Sequence, residues 1–312
     1  AAPGLDLILW TSMPPLPRPR VRAALPPIRM GHAALCGAVA ALAVACSQGV
    51  QEDAGVEAAS GMGSLALVHV ERQAEAGSAQ PRVTSSVKVA RYRGIEGDRL
   101  LRLLGAEARD LDTCHVVGGL DEAPLPAAAQ VELMSVGTIG LRVGEESHEL
   151  SPRLFPALAT TAGGFFYADA FDTHAGPDNT AYAIAAGGKG GIGRFALALT
   201  LPDAVDGVQL SGAPATDVAS LTRSADVALQ WDAATGGDYL ELELFVGGSM
   251  LACSLRDDGQ FVLPHDQLSA LDADDNAAMV LRRVRVLPVD VQGIESAYVR
   301  LSSARTFSAR VR

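Results

Sequence analysis

Few side chains in this 312-residue sequence stand at the spacings that chemistry requires. Asp169, Asp172, His174 and Asp178 come after Phe165-Phe166-Tyr167 within one short stretch, and closely spaced oxygen ligands on a loop are what Ca²⁺ takes. The plainer reading is a solvated hairpin tip, because Gly176-Pro177 marks an ordinary turn and the spacing matches no known cage. Asp272, Asp274, Asp275 and Asn276 fail as an EF-hand: the sixth position lacks Gly, and Arg283 stands where the bidentate Glu belongs. Gly188-Lys189-Gly190-Gly191-Ile192-Gly193 satisfies G-x-G-x-x-G. The next segment, Arg194 to Thr200, alternates like a strand and ends at Pro202, so no helix start would face a pyrophosphate, and a glycine-rich hairpin loop is expected. Gly247-Gly248-Ser249 lacks the closing glycine of a nucleophile elbow. His69, His115, His148, His174 and His265 are scattered, with no H-E-x-x-H among them. The expectation is no catalytic residue, no cofactor and no metal, with Asp169, Asp172 and Asp178 the only ligand candidates to pursue.

The four cysteines say more. Cys36 and Cys46 lie in the stretch Met30 to Cys46, where Ala33 to Ala45 carries no charge and is preceded by Arg18, Arg20, Arg22 and Arg29. This is the charge-then-apolar order of a secretory signal. The run falls short of the roughly 20 apolar residues of a spanning helix and gives way at once to Ser47-Gln48-Gly49. Leu42-Ala43-Val44-Ala45-Cys46 resembles the lipobox of bacterial lipoproteins. That resemblance implies a diacylglyceryl group on Cys46, which becomes the mature N-terminus, and Ser47 is similar to the sorting context of lipoproteins sent to the outer membrane. The alternative is a signal cut by the general peptidase, giving a periplasmic or secreted protein. Met13 is the expected start, since it supplies all four arginines, and residues 1–12 read as lying outside the natural coding sequence. Cys114 and Cys253 remain, either as a disulfide in an oxidising compartment or as two buried free thiols. Neither belongs to a CxxC, so zinc is not expected.

Removing residues 1–45, which carry four Arg against Asp6, takes the net charge from −11 to −14. Such a surface repels phosphate backbones, so nucleic acid is not a partner. The expected partners are a membrane, through the N-terminal lipid, and an envelope protein or glycan. Residues 46–63, rich in Ser, Gln, Gly, Ala and acidic side chains, read as a flexible tether.

The remaining sequence predicts a mainly β fold of two β-sandwich-like domains. Residues 64–205 alternate over Leu65 to Val70 and Val83 to Val89, break for one short helix around Leu100 to Leu104 that Asp98 would cap and Gly105 would end, and then run in short strand-like segments. Crossover helices of a doubly wound sheet are missing. A Pro, Gly and Asp-rich stretch places the domain boundary near residue 206. In 206–312, Val227, Leu229 and Trp231 share one stripe, and after them come Leu240-Glu241-Leu242-Glu243-Leu244 and then Leu251, Cys253 and Leu255. This pattern resembles fibronectin-type-III and immunoglobulin-like sandwiches, which implies a core role for Trp231.

Overall fold

Most strands of the chain carry an apolar and a polar stripe, and pairing such strands in register gives a sheet with one apolar face. The computed structural model describes residues 61–75, 80–105, 110–117, 128–154, 162–175, 180–215 and 218–312. The expected signal segment, Cys46, most of the expected tether and Asp178 lie outside them.

The described chain opens with the antiparallel pair β1 (Gly63–Glu75) and β2 (Arg82–Arg93), and then α1 (Gly97–Leu104). Then come β3 (Thr113–Val117), β4 (Gln130–Leu133), β5 (Ile139–Val143), β6 (Glu146–Glu149), β7 (Ser151–Leu154) and β8 (Ala162–Asp172). β9 (Tyr182–Ala186) and β10 (Phe195–Leu199) precede the short β11 (Gln209–Leu210), β12 (Ala213–Pro214) and β13 (Val218–Leu221). β14 (Val227–Gln230), β15 (Tyr239–Val246), β16 (Ser249–Arg256) and β17 (Gln260–Leu263) lead through α2 (His265–Ser269) to β18 (Asp274–Val289) and β19 (Ser296–Val311). The fold is mainly β, as the alternation predicts.

Among the described residues eleven strands form one sheet in the order β3-β16-β15-β18-β19-β1-β2-β4-β8-β7, with β13 also paired to β19. Two four-stranded sheets, β10-β9-β5-β6 and β12-β11-β14-β17, pack side by side against its apolar face. Each closes a core. Leu229, Trp231 and Leu263 meet Leu242, Leu244, Cys253, Leu281 and Phe307 in one. Ile139, Leu141 and Ile184 meet Val68, Val70, Val87, Val299 and Leu301 in the other.

The boundary expected near 206 therefore falls between the two cores and the two small sheets, but the large sheet runs across it. β18 and β19, 16 residues each, extend through both: Phe307, Ala309 and Val311 serve one core and Ala297, Val299 and Leu301 the other. A strand of that length spans roughly 50 Å, more than one sandwich needs. At the joint the inward stripe turns polar, because a backbone segment must be satisfied there. Arg283 donates to the carbonyls of Asp203 and Ala204 at 3.3 and 2.8 Å, Ser303 to that of Pro202 at 2.6 Å and Arg285 to that of Thr200 at 3.3 Å. The start of the stretch that reads as a domain boundary is thus pinned by side chains of the two longest strands.

On the opposite face α1 lays Leu100 and Leu104 over Leu65, Leu67 and Ala90. The expected cap is corrected: Glu96 is the N-cap, without a side-chain bond, and Asp98 sits in the first turn, where it faces the positive end of the helix dipole. Gly105 ends the helix in the left-handed conformation at φ 83°, as a C-terminal glycine should.

Candidate functional site

The outer face of the large sheet is where charge collects. Side chains from neighbouring strands meet there: Lys88 of β2, His69 and Glu71 of β1, Arg300 and Ser302 of β19, Arg282 of β18, and Glu241 and Glu243 of β15. Register brings them together. His69 stands opposite Arg300 and Ser86, Glu71 opposite Ser302 and Thr84, and Arg282 opposite Glu241. Within its own strand each is only the polar member of an alternating pair, so pairing alone makes the patch.

Every charged group of this ridge is committed. Arg282 reaches Glu71 at 2.8 Å and Glu243 at 2.6 Å, and Arg300 forks between Glu241 and the Nε2 of His69, the latter at 2.8 Å. Ser302 donates to Glu71 at 3.0 Å, Tyr239 to Glu241 at 3.2 Å, and Lys88 to the carbonyl of Leu104 at 2.6 Å. Burial works against the charge of Arg282 and Arg300, but Glu71 and Glu243 beside one and Glu241 beside the other outweigh it and hold both above the usual arginine pKa. Burial, then Arg300, pulls Lys88 down, while burial, then Glu241, pushes Tyr239 up. Burial, with Arg300, Lys88 and Arg282 adding to it, lowers His69 to about 3. The imidazole is therefore neutral. A guanidinium only donates, so Nε2 accepts from Arg300 and the ring proton resides on Nδ1.

Two cavities flank the ridge. One, of about 230 Å³, is bounded by Arg102 and Gly105 at the end of α1, His115 of β3, and Ala252 and Ser254 of β16. The other, of about 300 Å³, lies over β1, β2, β8 and β7; His69, Thr84, Ser86, Arg153, Ala168 and Ala170 line it, and Ser85 and Asp169 also border it. Cys114 and Cys253, directly opposite in the pairing of β3 with β16, are joined at 2.07 Å beside the smaller cavity.

The acidic stretch after Tyr167 is not all loop. Asp169 is inside β8, opposite Ser85, and Asp172 ends the strand. An odd spacing along a strand puts the two on opposite faces, so they do not converge on one ion. Among the described residues no group of three or more His, Cys, Asp or Glu is placed to hold a metal. The Gly188 to Gly193 loop joins β9 to β10, with no helix after it. Two of its glycines serve close packing: a Cβ on Gly188 would stand 2.9 Å from the carbonyl oxygen of Ile192, and one on Gly193 2.8 Å from the side chain of Gln292, whose backbone carbonyl accepts the Gly193 N–H at 2.8 Å. Arg283, set aside with the failed EF-hand, belongs to a buried knot. It bonds Asp257 at 2.7 Å, and Trp231 donates its indole N–H to the same carboxylate at 2.8 Å. Sequence reasoning passed over the ridge, although adjacent arginines at 282 and 283 inside an apolar strand were a signal, each needing a partner on its own face.

No protein-family model and no curated protein sequence matches the chain. Among solved structures it is similar to a 1.5-MDa bacterial ice-binding adhesin studied for host cell surface retention, with 13% identity and a TM-score of 0.20 over 80% of this chain and 66% of that one. It is also similar to the Fcho1 mu homology domain of Danio rerio with a bound Eps15 peptide, with 10% identity and a TM-score of 0.25 over 80% of this chain and 97% of that one. The chain spans just under two thirds of the adhesin chain, and at these TM-scores neither likeness carries an argument about fold or function.

Proposed function

We propose that the protein is a lipid-anchored component of the bacterial cell envelope, of structural or interaction type, which holds a mainly β body off the membrane on the tether of residues 46–63. The observation that carries this reading is Leu42-Ala43-Val44-Ala45-Cys46 at the end of an uncharged apolar run preceded by arginines. At about 0.8 kcal/mol per buried CH₂, several long acyl chains on one cysteine would make attachment nearly permanent. Catalysis is not part of the reading, because the ridge's carboxylates are all bonded to cations or donors and none is left to act as a base. A metal-dependent role for the 169–178 stretch is not favoured, since Asp169 and Asp172 face opposite ways. Detergent phase partitioning of the full chain and of Cys46→Ser tests the anchor. The wild type is expected in the detergent phase and the variant in the aqueous phase with the fold unchanged; a wild type that partitions as soluble with an unmodified N-terminus overturns it.

A further inference from the structure

We infer that the cavity of about 300 Å³ beside His69 binds a small hydroxylated molecule through an oxyanion, either a carboxylate or a phosphoryl group. The reason lies in a contrast across one sheet face. The ridge is saturated with partners, whereas the cavity wall presents donors that no described residue engages. Arg153, on the exposed edge strand β7, makes no hydrogen bond or ion pair among the described residues, and the hydroxyls of Thr84 and Ser86 make none either. His69 has Nε2 occupied by Arg300, which leaves its Nδ1–H as a fourth donor.

The register gathers these groups over one floor. Ser86 stands between His69 and Ala168, Thr84 opposite Ala170, and Arg153 two residues along β7 from Ser151, which faces Ala168. Ala168 and Ala170 leave the floor low and bring no polar side chain of their own. Asp169 also borders the cavity, but alternation turns its side chain toward the stripe of Tyr167 and Phe171, away from the donors. A guanidinium, an imidazole N–H and two hydroxyls, with no carboxylate on their own face of the cavity, suit a ligand rich in acceptors and bearing negative charge. The volume exceeds that of a bare inorganic ion and lies at the lower end of ligand pockets. The hydroxyls of Thr84 and Ser86 both donate and accept, which matches hydroxyl groups on the remainder of the ligand. This inference does not depend on the lipid anchor.

Isothermal titration calorimetry on the full chain in detergent, with galacturonate and glucose 6-phosphate as probes and galactose and glucose as their neutral counterparts, tests it. At least one anion is expected to bind about tenfold or more tightly than its neutral counterpart, and which one does so separates a carboxylate ligand from a phosphoryl ligand. Arg153→Ala is expected to weaken that binding about tenfold or more, because a charge-assisted pair is lost. Ser86→Val, which removes a donor and raises the floor, is expected to weaken it as well. No heat with either anion at millimolar concentration, equal binding of anion and neutral sugar, or an Arg153→Ala protein that binds like the wild type would overturn the assignment.

Discussion

Trp231 and Arg283 lean on the same carboxylate, and that of Asp257 has almost no contact with water, its side chain being 2% exposed. Truncating Trp231 to Ala removes a large core side chain and one hydrogen bond to a buried anion. The expected loss is about 3–5 kcal/mol, read by denaturant unfolding, and an unchanged midpoint would contradict the packing described. Arg283→Ala is expected to cost a similar amount, about 3–5 kcal/mol, because it strands Asp257. Arg283→Met combined with Asp257→Leu should recover part of that loss, since no buried charge then lacks a partner; a double mutant no better than the single would show that the carbonyl bonds of Arg283 matter more than the ion pair. His69 supplies a pH dependence. Its folded pKa near 3 lies below the unfolded value of 6.5, so between these limits the unfolded chain takes up a proton that the native one refuses. The associated stability is fully present above pH 6.5 and is lost as pH falls toward 3, about 1.4 kcal/mol for each unit traversed. Melting measured from pH 7 to pH 4 should show a shallower decline in His69→Gln than in the wild type, and parallel curves would refute a neutral buried imidazole.

At the scale of elements, β3 is the most dependent. It has no fully buried side chain, sits at the end of the large sheet and is fixed by its pairing to β16 and by the Cys114–Cys253 bond, which closes a span of 139 residues. Replacing both cysteines by Ser should cost about 2–4 kcal/mol of stability, with amide exchange rising first at residues 113–117. Protection there equal to the wild type's would show that the ladder alone holds the strand. β3 also illustrates what the sequence did not disclose: Thr-Cys-His-Val-Val has no clear alternation. Glu146 to Glu149 and Ser151 to Leu154 are equally hard to see, because Glu, Ser, His and Pro mask short edge strands. By contrast Leu240 to Leu244 and Val227 to Trp231 are legible, since one face of each meets a core and the two-residue period survives. The same period conceals the ridge. Glu241 and Glu243 look like solvent-facing members of an amphipathic strand, and only their register with Arg282, on a strand some forty residues further along the chain, shows them facing partners.

For the whole molecule, sharing β18 and β19 between both cores means that neither half has a complete sheet by itself. Calorimetry should record one transition with matching calorimetric and van't Hoff enthalpies, and two resolved peaks would show that the halves melt separately. A fragment covering 206–312 would leave β19 without β1 and β16 without β3, and is expected to aggregate through the bared edges. The pairing of β1 with β19 also bears on the order of assembly. Leu65 lies beside Ser296, and His69 bonds Arg300 across 231 residues of chain. A polypeptide made N-terminus first therefore exposes β1 long before its parallel neighbour exists. At about 5–20 residues per second the wait is on the order of 10–50 s, during which the edge of β1 that β19 will pair stays open, although Ile139, Leu141 and Ile184, which cover Val68 and Val70, are made well before β19. The central seam of the sheet closes late in synthesis, and until then β1 presents an unpaired edge of the kind that invites pairing with other strands.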